Sequence, residues 1–321
     1  MKLGVFTPIL QAMTLDAALT YLQPLGVQMV ELGCGGYPGR HHCDPDILLH
    51  DEAALSRLRD TIARHGMEIS ALSCHGNAVH PDKAVAHAMQ RDFENTILMA
   101  EKLGVHQINT FSGCPGDHPG AKYPNWVTCP WPEDFLAILK YQWEDVLIPY
   151  WVKAAVFARE HGVDKIALEM HPGFCVYSAS TLLKLRAAVG PAIGANFDPS
   201  HLYWQGVDIV AAIRELSGAI YHFHAKDTSV DPINTGKNGV LDTTPYADEI
   251  HRSWIFRSVG YGHDYQEWKA IISALRMVGY DYAVSIEHED SLMSPREGLE
   301  KAIRFLQDVL INEPKGEMTW A

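Results

Sequence analysis

The sequence is poor in the features that mark secreted, membrane-bound or nucleic-acid-binding chains. Its six cysteines (Cys34, Cys43, Cys74, Cys114, Cys129 and Cys175) include no C-x-x-C pair. That argues against a zinc knuckle or a disulfide frame and for reduced thiols with structural roles. Basic residues are scarce: 26 Lys and Arg stand against 39 Asp and Glu, a net charge of −13. Such a surface repels a phosphate backbone, whose binding rests on many Lys and Arg contacts, so nucleic acid is not an expected partner. No apolar run approaches the roughly 18 residues of a membrane span, and no membrane partner is expected. The opening MKLGVFTPIL carries one lysine and a short apolar run that stops at Pro8. It lacks the longer apolar stretch and cleavage site of a signal peptide, and the expected location is the cytoplasm. No G-x-G-x-x-G turn follows the first apolar run, where FTPIL stands, which argues against an open doubly wound sheet.

What the chain does have is alternation. Apolar runs of strand length occur at Leu3–Thr7, Met29–Leu32, Ile69–Ser73, Gln107–Phe111, Lys165–Leu168, Gly194–Phe197, Ile220–Phe223 and Tyr282–Ile286. Segments with helical spacing of apolar residues separate or follow them, at Leu15–Leu25, Glu52–His65, Ala84–Leu103, Tyr150–His161, Ala179–Val189, Ile209–Leu216, Tyr265–Val278 and Pro295–Ile311. Several helices end at a glycine that accepts a left-handed C-cap, as at Gly66, Gly104, Gly162 and Gly279. Eight strand–helix units in 321 residues predict an α/β chain folded as one (β/α)8 TIM barrel spanning residues 1–321, with parallel strands joined by right-handed crossovers.

Two connections are longer than a barrel needs, roughly residues 112–132 after the fourth strand and 228–264 after the seventh. Both follow strands and therefore belong to the C-terminal face, where barrel active sites are built. They read as substrate walls or lids, or as a subunit contact, and the two readings are compatible. Trp126 and Trp131 in the first, Trp254 in the second, and Phe6 are candidates to stack on a ligand.

Strands five to eight each end in a potential metal ligand: Glu169 in IALEMH, Asp198 in GANFDPSH, His224 in YHFHAKD and Glu287 in AVSIEHED. An acidic residue at one strand end is commonly a helix cap or a solvated charge. Four in succession are different, because a barrel gathers those strand ends around its axis, and three carboxylates crowd one another unless a cation or shifted pKa values compensate them. Three oxygen donors and one imidazole suit Mn²⁺ first, then Co²⁺ or Mg²⁺, with Zn²⁺ still compatible.

With these residues in place, the chain resembles the xylose isomerase-like barrel superfamily of sugar isomerases and epimerases, which includes D-tagatose 3-epimerase and inosose dehydratase. The resemblance covers nearly the whole chain. It implies that Glu169, Asp198, His224 and Glu287 ligate one divalent ion, and that Glu169 and Glu287 exchange protons with a sugar from opposite faces. It also implies substrate contacts for His201 in D-P-S-H and Lys226 in H-A-K-D. The chemistry stands on its own terms: a chelated ketone and adjacent hydroxyl are polarised, a carboxylate removes the acidified α-proton to give a metal-bound enediolate, and a second carboxylate returns a proton. The expected function is thus a metal-dependent isomerase or epimerase of a keto-sugar.

The same abstraction becomes an elimination if a β-leaving group departs first, which gives the alternative of a lyase, dehydratase or deglycosylating subunit acting on a 3-keto-sugar or 3-keto-glycoside. His171, two residues after Glu169 and on the same side of an extended strand, is a candidate acid or base for it; a histidine bonded to a loop carbonyl is the plainer reading. Barrel subunits that cleave 3-keto-glycosides by β-elimination are similar in carrying such a Glu-x-His. His75 in SCHGN and His263 in GYGHD are candidate substrate contacts, with Trp126. His222 shares the facing of His224, and His288 is expected to point away from Glu287. The expected partners are a small-molecule sugar or glycoside and further copies of the chain, with a separate partner subunit as an alternative. Endonuclease IV shares this barrel, but it holds three metals; its extra histidine after the fourth strand is missing from NTFSGCP, and its D-x-H pair after the seventh is not evident. A binding protein without catalysis would not need two glutamates across one cation.

Overall fold

The computed structural model describes residues 1–319. Seven parallel strands follow one another around the barrel: β1 (Lys2–Phe6), β2 (Met29–Gly33), β3 (Glu68–Ser73), β4 (Gln107–Phe111), β5 (Lys165–Glu169), β6 (Ile193–Phe197) and β7 (Ile220–Ala225). The chain then forms an antiparallel ribbon of β8 (Asp227–Val230) and β9 (Trp254–Arg257) before β10 (Ala283–Ile286), which pairs with both β7 and β1 and closes the sheet. With helices between successive barrel strands, the molecule is a (β/α)8 TIM barrel.

Alternation along the strands sorts two interiors. Val30, Leu32, Leu72, Ile108, Phe197, Phe223, Val284 and Ile286 belong to the apolar core that the helices cover. Their strand neighbours Glu31, Ser73, Asn109, Asn196, His222, His224 and Ser285 are also buried, and they hydrogen-bond to one another across the barrel axis. The inside of this barrel is therefore polar where branched apolar layers are usual. Every one of those polar groups needs a partner, because an unpaired buried donor or acceptor costs about 1–3 kcal/mol.

All but one of the predicted helices form where the spacing places them. Lys83–Leu103 is capped by the Asp82 carboxylate and ends at Gly104, whose φ of 67° is left-handed; Gly66, Gly162 and Gly279 share that sign of φ. Among the described residues no helix is long and apolar enough to cross a membrane.

Two expectations are corrected. The helix predicted from Tyr150 begins at Asp134 and runs through a π segment, Tyr141–Leu147, into Ile148–Glu160. Pro149 stands inside this continuous helix directly after the π segment, where the regular i→i−4 ladder is already interrupted. The connection after the seventh barrel strand is not one open loop: β8 and β9 pair with Asp227 opposite Arg257 and Val230 opposite Trp254, and Trp204, Trp254 and Phe256 form a small core of their own.

Asp227 ties that ribbon to the barrel. Its buried carboxylate accepts from the backbone N–H groups of Thr228, Gly260, Gly262 and His263, from His263 Nδ1 at 2.7 Å and from Trp268 Nε1 at 3.2 Å. Asp227→Ala strands these donors, only some of which water can reach, and is expected to destabilise the chain by about 3 kcal/mol. Denaturant unfolding of the two proteins measures it; an unchanged midpoint would show that the clasp contributes nothing.

Candidate metal centre and active site

Each of the four expected ligands sits where a barrel strand ends. Glu169 is the last residue of β5, His224 lies near the end of β7, and Asp198 and Glu287 follow β6 and β10 directly. One ligand atom from each lies within 4.8 Å of the others. Asp198 uses Oδ1 to cap the short helix Pro199–Tyr203 through the Ser200 N–H at 2.8 Å. That leaves Oδ2 buried and without an aligned hydrogen-bond donor, 3.1 Å from Lys226 Nζ and 3.2 Å from His201 Nε2. An orphaned buried carboxylate oxygen, beside two more carboxylates and an imidazole, is the donor set that a hard-to-borderline divalent cation satisfies. The residues fit such an ion.

His224 is held from behind. Its Nε2–H donates to Glu31 at 2.9 Å, while Nδ1 faces Glu287 at 3.1 Å and Glu169 at 3.3 Å. The ring stacks on Phe6, centroids 5.5 Å apart. Glu31 also accepts from Ser73 Oγ, from Asn109 Nδ2 at 2.8 Å and from Ser285 Oγ at 2.8 Å. Sequence reasoning missed Glu31. The available signal was a charged residue inside MVELG, a run buried along its whole length. Glu31, His222 and His224 also lie close enough to hold an ion. However, the Glu31 oxygens are occupied by these donors, and His222 bonds through Nδ1 to Asn196 Oδ1 and through Nε2 to Ser70 Oγ. This deeper trio reads as support for the first four.

Charge keeps Glu169 and Glu287 ionised despite their burial. Burial alone would raise the Glu287 pKa, but the Lys226 ammonium and His224 outweigh it and hold it down to about 2. Glu169 is likewise opposed by burial, yet the hydrogen bond from His201 and the nearby His224 and His75 rings keep it well below the ordinary carboxylate range. For Asp198 burial wins and the pKa is raised, against the pull of Lys226 and His201. Burial disfavours the charged His224, but Glu31 and Glu287 raise its pKa well above the usual value. Metal ligation through Nδ1 would therefore release a proton.

Glu169 and Glu287 both border a chamber of about 540 Å³, along with Phe6, His75, Phe111 and His171. His75 Nε2 lies 3.0 Å from Glu169 Oε2 but off the hydrogen-bonding direction, so it has no aligned partner. His171 gives its Nδ1–H to the Pro172 carbonyl at 2.5 Å, leaving Nε2 as an acceptor, and burial lowers its pKa. His201 and Lys226 join the cluster but are almost fully buried: His201 donates to Glu169 at 3.0 Å, and Lys226 to Glu287 and Glu289 at 2.9 Å each. Glu289 is a further residue that the sequence did not single out.

The geometry corrects other expectations. Trp126 does not border the chamber; it meets Tyr177 edge to face at 5.6 Å and lines a separate cleft with Cys129 and Lys184. His263 is committed to Asp227 and stacks on Tyr203 at 3.6 Å, so its ring is a clasp within the ribbon rather than a wall of the chamber. Trp254 belongs to the ribbon's core, and Trp131 is exposed. His288 is among the residues that line the chamber, and its ring packs towards Ser258 Oγ, 3.4 Å from Nδ1, and Gly298.

The protein is similar along its length to known chains. It is 38% identical over 313 residues to the uncharacterized protein YfiH of Bacillus subtilis (strain 168), covering 97% of this chain and 99% of that one. Among solved structures, the IOLI protein with a bound zinc atom superposes with a TM-score of 0.68 at 20% identity, covering 97% of this chain and 98% of that one. D-Psicose 3-epimerase, solved in the presence of D-fructose, gives a TM-score of 0.62 at 17% identity, covering 97% and 99%. At those identities the likeness establishes the fold. The family model described as xylose isomerase-like TIM barrel matches residues 19–309, and the chain belongs to that family.

Proposed function

We propose that the protein is an enzyme that removes and returns a proton next to the carbonyl of a keto-sugar, as a metal-dependent isomerase or epimerase. The observation that carries this reading is that Glu169 and Glu287 belong to the four-ligand cluster and also border the open chamber. Glu169, Asp198, His224 and Glu287 would hold one divalent ion, Mn²⁺ by preference and Co²⁺, Mg²⁺ or Zn²⁺ as alternatives, and the ion would polarise a carbonyl and its neighbouring hydroxyl. One glutamate accepts the α-proton on a carboxylate oxygen; the other, which starts as a carboxylate, passes to the resulting enediolate a proton that it has taken up from water or a substrate hydroxyl. His75, at the chamber wall, is placed to orient a sugar hydroxyl. Lys226 and His201 hold the carboxylates in their ionised form and fix their directions. The proposed setting is cytoplasmic, and the proposed partners are a sugar or glycoside and further copies of the chain.

His171 favours a second reading, elimination. Its neutral Nε2 reaches the same chamber as Glu169, so a proton could pass through it when a β-substituent leaves with its bonding electrons. NMR of the products from a keto-sugar and 3-keto-glycoside panel separates the two. An intact isomer supports the first reading, and loss of water or of an aglycone supports the second. His171→Gln is expected to slow elimination about 10²-fold or more while affecting epimerisation less; equal losses in both would remove the special role of His171.

A further inference from the structure

A second chamber, of about 470 Å³, adjoins the first, and the two share His171 and Glu289 as walls. Its remaining lining is Tyr246, Ile255, Phe256 and Ser291. Pockets that bury a drug-sized ligand span roughly 300–1,000 Å³, so either chamber alone accommodates a small molecule and together they exceed what a single sugar ring requires.

The chemistry of the two is unequal. The first presents Glu169, Glu287, Glu289 and three histidines beside the rings of Phe6, Tyr37 and Phe111. The second presents two aromatic rings and an aliphatic side chain, with its polar groups Glu289, His171 and Ser291 beside them. A free sugar carries hydroxyls around its ring and would leave many of them unpaired against Tyr246, Ile255 and Phe256. A flat or apolar group would not.

The wall is built rather than incidental. Ile255 and Phe256 come from β9, whose pairing with β8 anchors it to the barrel. The Tyr246 ring lies nearly parallel to Phe256, 5.9 Å away and tilted by 19°. The Arg252 guanidinium packs over Tyr246 at 4.3 Å and over Trp254 at 4.5 Å, and it is fixed by its Nε–H bond to the Trp254 carbonyl at 3.0 Å. A half-exposed tyrosine held in this way offers a stacking surface at little entropic cost.

We infer that the substrate is a keto-sugar bearing an aryl or similarly flat apolar substituent, with the sugar in the metal-side chamber and the substituent against Tyr246, Ile255 and Phe256. The bond joining the two parts would pass between His171 and Glu289. The placement of the sugar rests on the reaction proposed above; the apolar chamber does not.

The test compares phenyl 3-keto-glucoside with 3-keto-glucose by isothermal titration on manganese-loaded native chain, Tyr246→Ala and Ile255→Asp, each checked for fold by circular dichroism. The native chain is expected to bind the phenyl compound at least about 10-fold more tightly. Either variant should reduce that ratio to near 1. Equal affinities on the native chain, or a ratio that survives in both folded variants, would overturn the inference. Deuterium exchange from D2O, followed on the same samples, reports on the reaction separately. A phenyl preference without exchange keeps the chamber assignment and removes the proposed chemistry; exchange without a preference does the reverse.

Discussion

Glu287→Gln and Glu169→Gln are each expected to slow α-proton exchange on a keto-sugar by about 10²–10⁴-fold, the usual contribution of a positioned acid or base. Glutamine keeps the shape of the side chain but cannot accept the proton. Lys226 holds Glu287 ionised, down to about 2, so the base is ready across the whole neutral range. Its conversion to an amide removes function rather than altering a titration. Both residues are also expected ligands, so exchange should be measured under saturating Mn²⁺, with bound metal counted by elemental analysis. A variant that holds a full equivalent of metal and still exchanges at the native rate would remove that glutamate from the proton path.

The second large effect belongs to a residue that touches neither the ion nor the chamber. Glu31→Gln is expected to weaken Mn²⁺ binding by about 10–100-fold, the loss typical when the carboxylate behind a ligating histidine is removed. The Glu31 carboxylate accepts the Nε2–H of His224 and thereby directs Nδ1 towards Glu169 and Glu287. An amide can accept with one oxygen only, while Ser73, Asn109 and Ser285 compete for it. Competition with a chromophoric chelator measures the affinity, and histidine ¹⁵N shifts report which nitrogen carries the proton. A folded variant with native affinity and an unchanged His224 tautomer would show that the imidazole is held without Glu31, by Phe6 and Asn196.

The barrel was legible in the sequence because all eight of its strands are covered on both sides. Burial of that kind leaves near-continuous apolar runs such as KIALE and IGANF, and the helices between them keep a clear 3.6-residue stripe. The clustering of Glu169, Asp198, His224 and Glu287 was legible for the same reason: each stands where an apolar run stops. Glu31 escaped notice because it lies inside a run rather than at its end, and only the polar layer spanning six strands explains a carboxylate there. The β8–β9 ribbon escaped because DTSV and WIFR are four residues each, too short for period-2 alternation to stand out. Trp126 and His263 were assigned to the chamber on loop position, which says which face a residue occupies but not which neighbour it meets. Asp227 decided the matter for His263, and Tyr177 stands edge to face against Trp126.

Deuterium incorporation from D2O into a keto-sugar and 3-keto-glycoside panel tests the proposed chemistry in one experiment, using native chain stripped of metal, the same chain reloaded with Mn²⁺, and reloaded Glu287→Gln. Deuterium should appear at the carbon next to the carbonyl only with the reloaded native chain. Equal incorporation by the stripped and reloaded proteins, or undiminished incorporation by a metal-replete Glu287→Gln, would contradict a reaction in which the ion polarises the carbonyl and the glutamates move the proton.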